Sequence, residues 1–216
     1  MGPSPDLQDI GAGPFIDGEF DTIIRTNGSI DIPEESYHDY GSRTTIAYLN
    51  NYFLNSRIKE ADKLRDLLQL LNDDVKMVVL KGDGTVSFLK KACKQFKIKN
   101  CTEFDKTSYA FKKTPDFWLK NLKGNNKSIY EPTLVSYILS DVIHFNPKLL
   151  YITGVNFYSS ATHWANYYNE GVSQKRQSIE RGSQHHIKGD MEYVRHVCNT
   201  YPNVRPDPIL RSILTD

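Results

Sequence analysis

Short β-branched runs alternate along this chain with helical stripes, and that alternation constrains the fold more than any other feature of the sequence. Elements of the two periods bury their apolar faces by packing in layers, so the pattern predicts an α/β domain. Asp21-Thr-Ile-Ile-Arg25 and Thr44-Thr-Ile-Ala-Tyr-Leu-Asn50 are the first two strand-like runs. Arg57 to Leu71 then carries Ile58, Ala61, Leu64, Leu67, Leu68 and Leu71 at helical spacing, with Asn55 and Ser56 as caps. Val75-Lys-Met-Val-Val-Leu80 reads as a buried strand broken by Gly82-Asp83-Gly84, with a helix expected from Val86 to Phe96. Thr114-Pro115 reads as cap and first-turn proline of a helix reaching Leu122. Pro132 starts another, with Leu134, Tyr137, Ile138 and Val142 on one side. Leu149-Leu-Tyr-Ile-Thr153 is the last strong strand, ended by Gly154, and Asp190 to Cys198 reads as helix. Three prolines between Pro202 and Pro208 predict a tail that wraps the surface.

A length of 216 residues suggests one domain, 1–216, and 39% apolar residues suffice for a core. No apolar run approaches the roughly 18 residues of a membrane helix, and the first residues lack a signal-peptide pattern. The three cysteines (Cys93, Cys101 and Cys198) have no CxxC spacing, which argues against a disulfide framework and a zinc site. The expectation is a soluble, reduced, cytoplasmic protein with no membrane partner.

The net charge is only +1, but it is unevenly placed. From Lys81 to Lys127 there are twelve lysines against four acids, a net of +8 that leaves −7 elsewhere. Phe88, Phe96, Phe104, Tyr109, Phe111, Phe117 and Trp118 are interleaved with them. This segment is either a solvated face over an ordinary core or a surface for a polyanion such as nucleic acid.

Small residues at Gly2-Pro-Ser4 and Gly11-Ala-Gly13 would let backbone approach a phosphate, or simply make turns. Asn27 follows a strand, where α/β sheets bind ligands, and Asn27-Gly28 is also a turn pair. In combination the order becomes specific. Ile16-Asp17, Asp21-Thr-Ile-Ile-Arg-Thr-Asn27 and Tyr40-Gly-Ser-Arg-Thr-Thr45 together resemble the large sialylmotif of sialyltransferases. Glu131-Pro-Thr133, a helix, and then Leu150-Tyr-Ile-Thr-Gly-Val-Asn-Phe-Tyr158 resemble the small sialylmotif. His163-Trp164 with Tyr167-Tyr168 stands where that family has a His-Tyr motif, and His185 through Asp190 resembles its last motif, His-x4-Glu. Two positions depart from the pattern: Pro3 stands in place of Asn, and Asp190 in place of Glu.

The resemblance implies a Rossmann-like α/β sheet flanked by helices, the sialyltransferase-like glycosyltransferase fold. It implies transfer of a sugar from a CMP-activated donor to an acceptor hydroxyl, with inversion and without a metal or other cofactor. Ser4, Arg25, Asn27, Thr133, Gly154 and Tyr158 become the candidate donor contacts. His185 is the expected general base, a task an imidazole suits near neutral pH, although His186 adjoins it. His163 and Asp190 complete the candidate catalytic set. Metal ligation by His185, His186 and Asp190 is chemically conceivable, but the chain has no Asp-x-Asp, no G-x-S-x-G elbow and no P-loop. His38, His144 and His196 read as structural or exposed.

For the acceptor the basic segment points to DNA, with hydroxymethylated cytosine of bacteriophage type receiving a pentose such as arabinose. Lys90, Lys91, Lys94 and Trp164 are the candidate acceptor contacts. The alternatives are a sialyltransferase acting on a glycan, and a non-catalytic module that binds nucleotide or nucleic acid.

Overall fold

The computed structural model describes residues 1–2, 4–50, 53, 57, 61–81, 94, 101–103, 132–157 and 187–215. The chain forms two compact units, one of Met1 and Leu7–Phe104 and one of Gly2–Asp6 and Asp105–Asp216.

In the first unit, strands β1 (Ile24–Thr26), β2 (Ile46–Asn50), β3 (Met77–Lys81) and β4 (Cys101–Glu103) form a wholly parallel sheet in the order β1-β2-β3-β4. The register sets Ala47 beside Val78 and Leu49 beside Leu80, so these four share one face. Helix α3 (Ala61–Asp73) brings Leu67 and Leu71 into the same cluster, joined by Ile30, Phe53 and Val75. Tyr48 and Val79 point to the other face and are buried as well. This is the two-sided burial that makes parallel strands read as continuous apolar runs. Two short helices precede β2: α1 (Gly13–Glu19), with Pro14 in its first turn, and α2 (Tyr37–Tyr40). A Cβ at Gly13 would strike the Tyr37 and His38 carbonyls, so the smallness of Gly13 serves helix packing.

The second unit is built on a parallel pair, β5 (Leu150–Ile152) and β6 (Val204–Pro206), with helices α4 (Leu134–Val142), α5 (Ile187–Thr200) and α6 (Pro208–Thr215). Its core joins Leu139, Ile152, Val155, Phe157, Tyr193, Val194, Val197, Val204, Leu210 and Leu214.

The proline-rich tail is therefore core, not wrapping. Pro206 ends an edge strand and Pro208 opens a helix, two places where a missing N–H does no harm. Asp207 between them accepts from the Leu210 amide at 2.7 Å and from the Gly154 amide at 3.2 Å, capping α6 and tying it to the end of β5. Strand β4, strand β6 and helices α1 and α6 were not expected from the periodicity. Of the helix predicted over 86–96 only Lys94 is described, and it is helical; the one predicted over 114–122 lies outside the described residues.

Leu210 is 0% exposed, so Leu210→Ala is expected to destabilise the protein by about 2–5 kcal/mol. Phe145→Ala, at a side chain 79% exposed, is expected to stay within about 0.5 kcal/mol. Urea unfolding of both variants checks the pair, and a near-neutral Leu210→Ala would remove the tail from the core.

Candidate active site

The large-motif residues of the first unit organise one loop. Arg25 is 1% exposed and comes off β1 beneath residues 40–43. Its Nη2 donates to the Tyr40 carbonyl at 2.6 Å and the Gly41 carbonyl at 2.9 Å, and its Nε to the Arg43 carbonyl at 2.9 Å. Nη1 lies 3.0 Å from the Met1 sulfur. Burial lowers the guanidinium pKa to about 10, and the Asp17 carboxylate works against that fall. Asp17, on α1, accepts from the Ser42 amide at 2.6 Å and the Arg43 amide at 3.1 Å. Gly41 has φ +71, and a Cβ there would press on the Asp17 carboxylate. The Gly41-Ser-Arg stretch is thus a loop gripped from two sides, and Arg25, a candidate donor contact, has its donors turned to loop carbonyls.

Asn27 stands at the carboxyl end of β1 with φ +46, opening a 3-10 turn (Asn27–Ser29). The turn reading and the side-chain reading both have a counterpart. Asn tolerates the left-handed region, and its Oδ1 accepts from the Asn50 amide at the end of β2, at 2.9 Å. Asn50 Oδ1 in turn accepts from the Phe53 amide at 2.9 Å. Among the described residues Asn27 Nδ2 has no hydrogen-bond acceptor, which leaves a donor at a strand's carboxyl end. Asn50 had no signal in the sequence beyond its place at a strand end.

Asp39 fixes the Gly11 loop. Its Oδ1 accepts from the Gly11 amide at 2.8 Å. Burial would raise the carboxyl pKa, but the amides of Gly11, Asp9 and Ile10, together with the nearby His38, outweigh burial and hold it below the ordinary value. Gly11, expected to let a phosphate approach, has its amide committed to Asp39.

In the second unit Ser4 and Gly154 come together. The Ser4 amide donates to the Gly154 carbonyl at 2.9 Å, and the Gly2 amide to the Thr153 carbonyl at 2.9 Å. A Cβ on Gly2 would overlap the Gly154 carbonyl oxygen, and one on Gly154 the Gly2 carbonyl oxygen. The small residues thus serve a close backbone crossing. Ser4 is buried; its hydroxyl donates to Asp6 Oδ2 at 2.7 Å, which also accepts from Asn156 Nδ2 at 2.8 Å.

Thr133 and Asp190 also come together. Thr133 is the N-cap of α4 in an extended conformation (φ −63, ψ 162), yet its hydroxyl makes no capping bond. Its Oγ1 is buried and, among the described residues, has no hydrogen-bond partner. The Thr133 amide lies 3.1 Å from both carboxylate oxygens of Asp190, and Ser136 Oγ donates to Asp190 Oδ1. Asp190 is 0% exposed in the first turn of α5. Further along the same helix pair, the Tyr193 and Ser140 hydroxyls bond to one another. Ser136 escaped the sequence reading, although Thr-x-x-Ser at a helix start is a capping pattern that could have singled it out.

His185, His163, Tyr158, Lys90, Lys91 and Trp164 lie outside the described residues, while Lys94 is helical and exposed. Among the described residues no group of three His, Cys, Asp or Glu is placed to hold a metal ion. No described helix is long and apolar enough to cross a membrane.

Arg25→Met is expected to lower stability by about 3–5 kcal/mol in urea unfolding, because three loop carbonyls, those of Tyr40 and Gly41 in buried bonds, lose their donor. A change below about 0.5 kcal/mol would show that the loop does not need it. Asp39 contributes stability that is present above the ordinary carboxylate pKa and lost as pH falls through its depressed folded value. Asp39→Asn is expected to cost stability at neutral pH and to flatten the acid limb of a stability-against-pH curve. An unchanged acid limb would refute this.

No protein-family model matches the chain, and no curated protein matches it. Among solved structures, the crystal structure of alpha-2,3-sialyltransferase from Campylobacter jejuni in apo form is similar to it, with a TM-score of 0.55 at 14% sequence identity. The match covers 98% of this chain and 76% of that one. With its parallel strands flanked by helices, the chain has the sialyltransferase-like α/β fold that its motifs led one to expect.

Proposed function

We propose that this protein is a glycosyltransferase that uses a CMP-activated sugar, with Thr133 as a donor contact. The observation that carries the reading is the Thr133 hydroxyl, buried and without a partner among the described residues, at the start of a nine-residue helix. A buried polar group left unpaired costs about 1–3 kcal/mol, and a ligand that completes the hydrogen bond recovers it. Asp190 already sets a carboxylate at that helix entrance, so a phosphate there would meet like charge. The group that meets Thr133 is therefore uncharged, a ribose hydroxyl or an edge of cytosine. Likeness of fold to an enzyme named as an alpha-2,3-sialyltransferase supports the reading, as does the order of the sequence motifs.

In this reading the acceptor oxygen forms a bond to the anomeric carbon as the bond from that carbon to the CMP phosphate oxygen breaks. CMP leaves with the electron pair and the anomeric centre inverts. His185 takes the proton of the acceptor hydroxyl. His163 and tyrosine hydroxyls such as that of Tyr158 stabilise the departing phosphate, and no metal takes part. The +8 segment that includes Lys90, Lys91 and Lys94, with Trp164 as an aromatic face, favours hydroxymethylated DNA as acceptor and a pentose such as arabinose as cargo. A second reading, sialic acid moved to a glycan, is favoured by the name of the structural neighbour.

Calorimetry is expected to show CMP binding by the wild-type chain. Thr133→Val is expected to bind CMP about tenfold more weakly with no loss in unfolding midpoint, because the valine removes an unpaired hydroxyl. Equal affinity would remove Thr133 from the site. His185→Ala is expected to abolish CMP release from a donor. Product mass spectrometry with CMP-sialic acid and CMP-pentose, offered with glycan and hydroxymethylated DNA, separates the acceptors by which one gains mass. CMP binding without release from any donor would favour a non-catalytic nucleotide-binding module.

A further inference from the structure

We infer that Asp190 is a positioning residue for this donor contact: its buried carboxylate holds the first turn of α4 from outside, so that the Thr133 hydroxyl is presented and not spent on capping its own helix. The inference rests on the reading of Thr133 as a donor contact.

A threonine at an N-cap ordinarily accepts from the amide two or three residues on. Thr133 makes no such bond. Asp190 braces this helix entrance by a different route: it takes the N-cap residue's own amide on both oxygens and the hydroxyl of Ser136, the third residue of the first turn. The carboxylate belongs to the first turn of α5, so one negative charge faces the positive ends of two helices. That double attraction offsets part of the cost of burying it at 0% exposure. A second tie holds the two helices in register. The Ser140 hydroxyl pairs with the Tyr193 hydroxyl and also bonds to the Ser136 carbonyl at 2.9 Å. Asp190 and Tyr193 are three residues apart on α5, and Ser136 and Ser140 four apart on α4, so both ties fall on facing stripes. Leu139, Val194 and Val197 pack in the same core. The first turn of α4 is thereby fixed relative to α5, and Thr133 with it.

The test uses the full chain and four proteins: wild type, Asp190→Asn, Thr133→Val and the double variant. Asparagine keeps the shape but offers one accepting oxygen where the carboxylate offers two. Asp190→Asn is expected to weaken CMP binding about tenfold and to speed hydrogen exchange of the Thr133 amide by a similar factor. In the Thr133→Val background the same substitution is expected to change CMP affinity less than about twofold, because the group it positions is gone. Losses that multiply in the double variant would mean Asp190 acts elsewhere and would overturn the inference. So would faster exchange with unchanged CMP affinity. Where Asp190→Asn does not fold, Ser136→Ala removes one tie and is expected to weaken CMP binding two- to threefold, again only when Thr133 is present; no weakening overturns the inference. Absence of CMP binding by the wild type overturns the donor reading and this role together, whereas wild-type binding that Asp190→Asn leaves intact overturns this role alone.

Discussion

A backbone amide or carbonyl taken out of water must find a partner, and at the loops and helix entrances of this protein charged side chains meet that demand. Arg25 supplies three carbonyls of the 40–43 loop, and Asp17 supplies two of its amides. Asp207 serves a helix entrance and the end of β5 at once. Asp190 serves the entrance of α4. Each of the four joins segments distant in sequence. Apolar clusters stabilise each unit, but they leave loop conformation open. The charged side chains, buried at Arg25, Asp190 and Asp207 and half-buried at Asp17, are what select one.

That division explains which parts of the fold could be read in the sequence. Strands β2, β3 and β5, and helices α3, α4 and α5, follow from periodicity because their apolar side chains face a core on a regular repeat. Their observed ends differ by a few residues from the expected ones, as where α4 starts at Leu134 behind a Thr133 cap. Strand β6 was hidden because Val204–Pro206 is short and contains proline, and proline was read as a breaker. The sign that mattered was Asp207-Pro208, an N-cap followed by a first-turn proline, which marks a helix start as surely as it marks the end of a strand.

The site was legible to a smaller degree, for a different reason. Resemblance to a motif identifies positions without stating what each one holds. Arg25 and Gly154 answer to motif positions, yet in this structure Arg25 braces a loop and Gly154 makes room for the Gly2 backbone. Both tasks demand one residue type as strictly as ligand binding would: a planar fork of donors for three carbonyls, and an absent Cβ at φ +68 beside another main chain. Partners 15 to 18 residues away, as for Arg25, or at the other end of the chain, as Gly2 is for Gly154, leave no periodic trace, so sequence alone does not separate the two kinds of demand.

Unmet demand is where they separate. Among the described residues three buried side-chain atoms have no hydrogen-bond partner: Arg57 Nε, Asn72 Oδ1 and Thr133 Oγ1. The Arg57 guanidinium pairs with Asp31 at 3.4 Å and lies 5.1 Å from the centre of the Phe53 ring, so the charge is answered even though one nitrogen is not. Asn72 is engaged through the rest of the residue. Thr133 has a single polar side-chain atom, and that atom is the one without a partner. Its own amide is satisfied by Asp190, so the unpaired hydroxyl is not the mark of a badly formed helix start. In a chain that brings charges from far along the sequence to satisfy its buried backbone, a hydroxyl left open at a braced helix entrance is the observation on which the proposed donor contact rests.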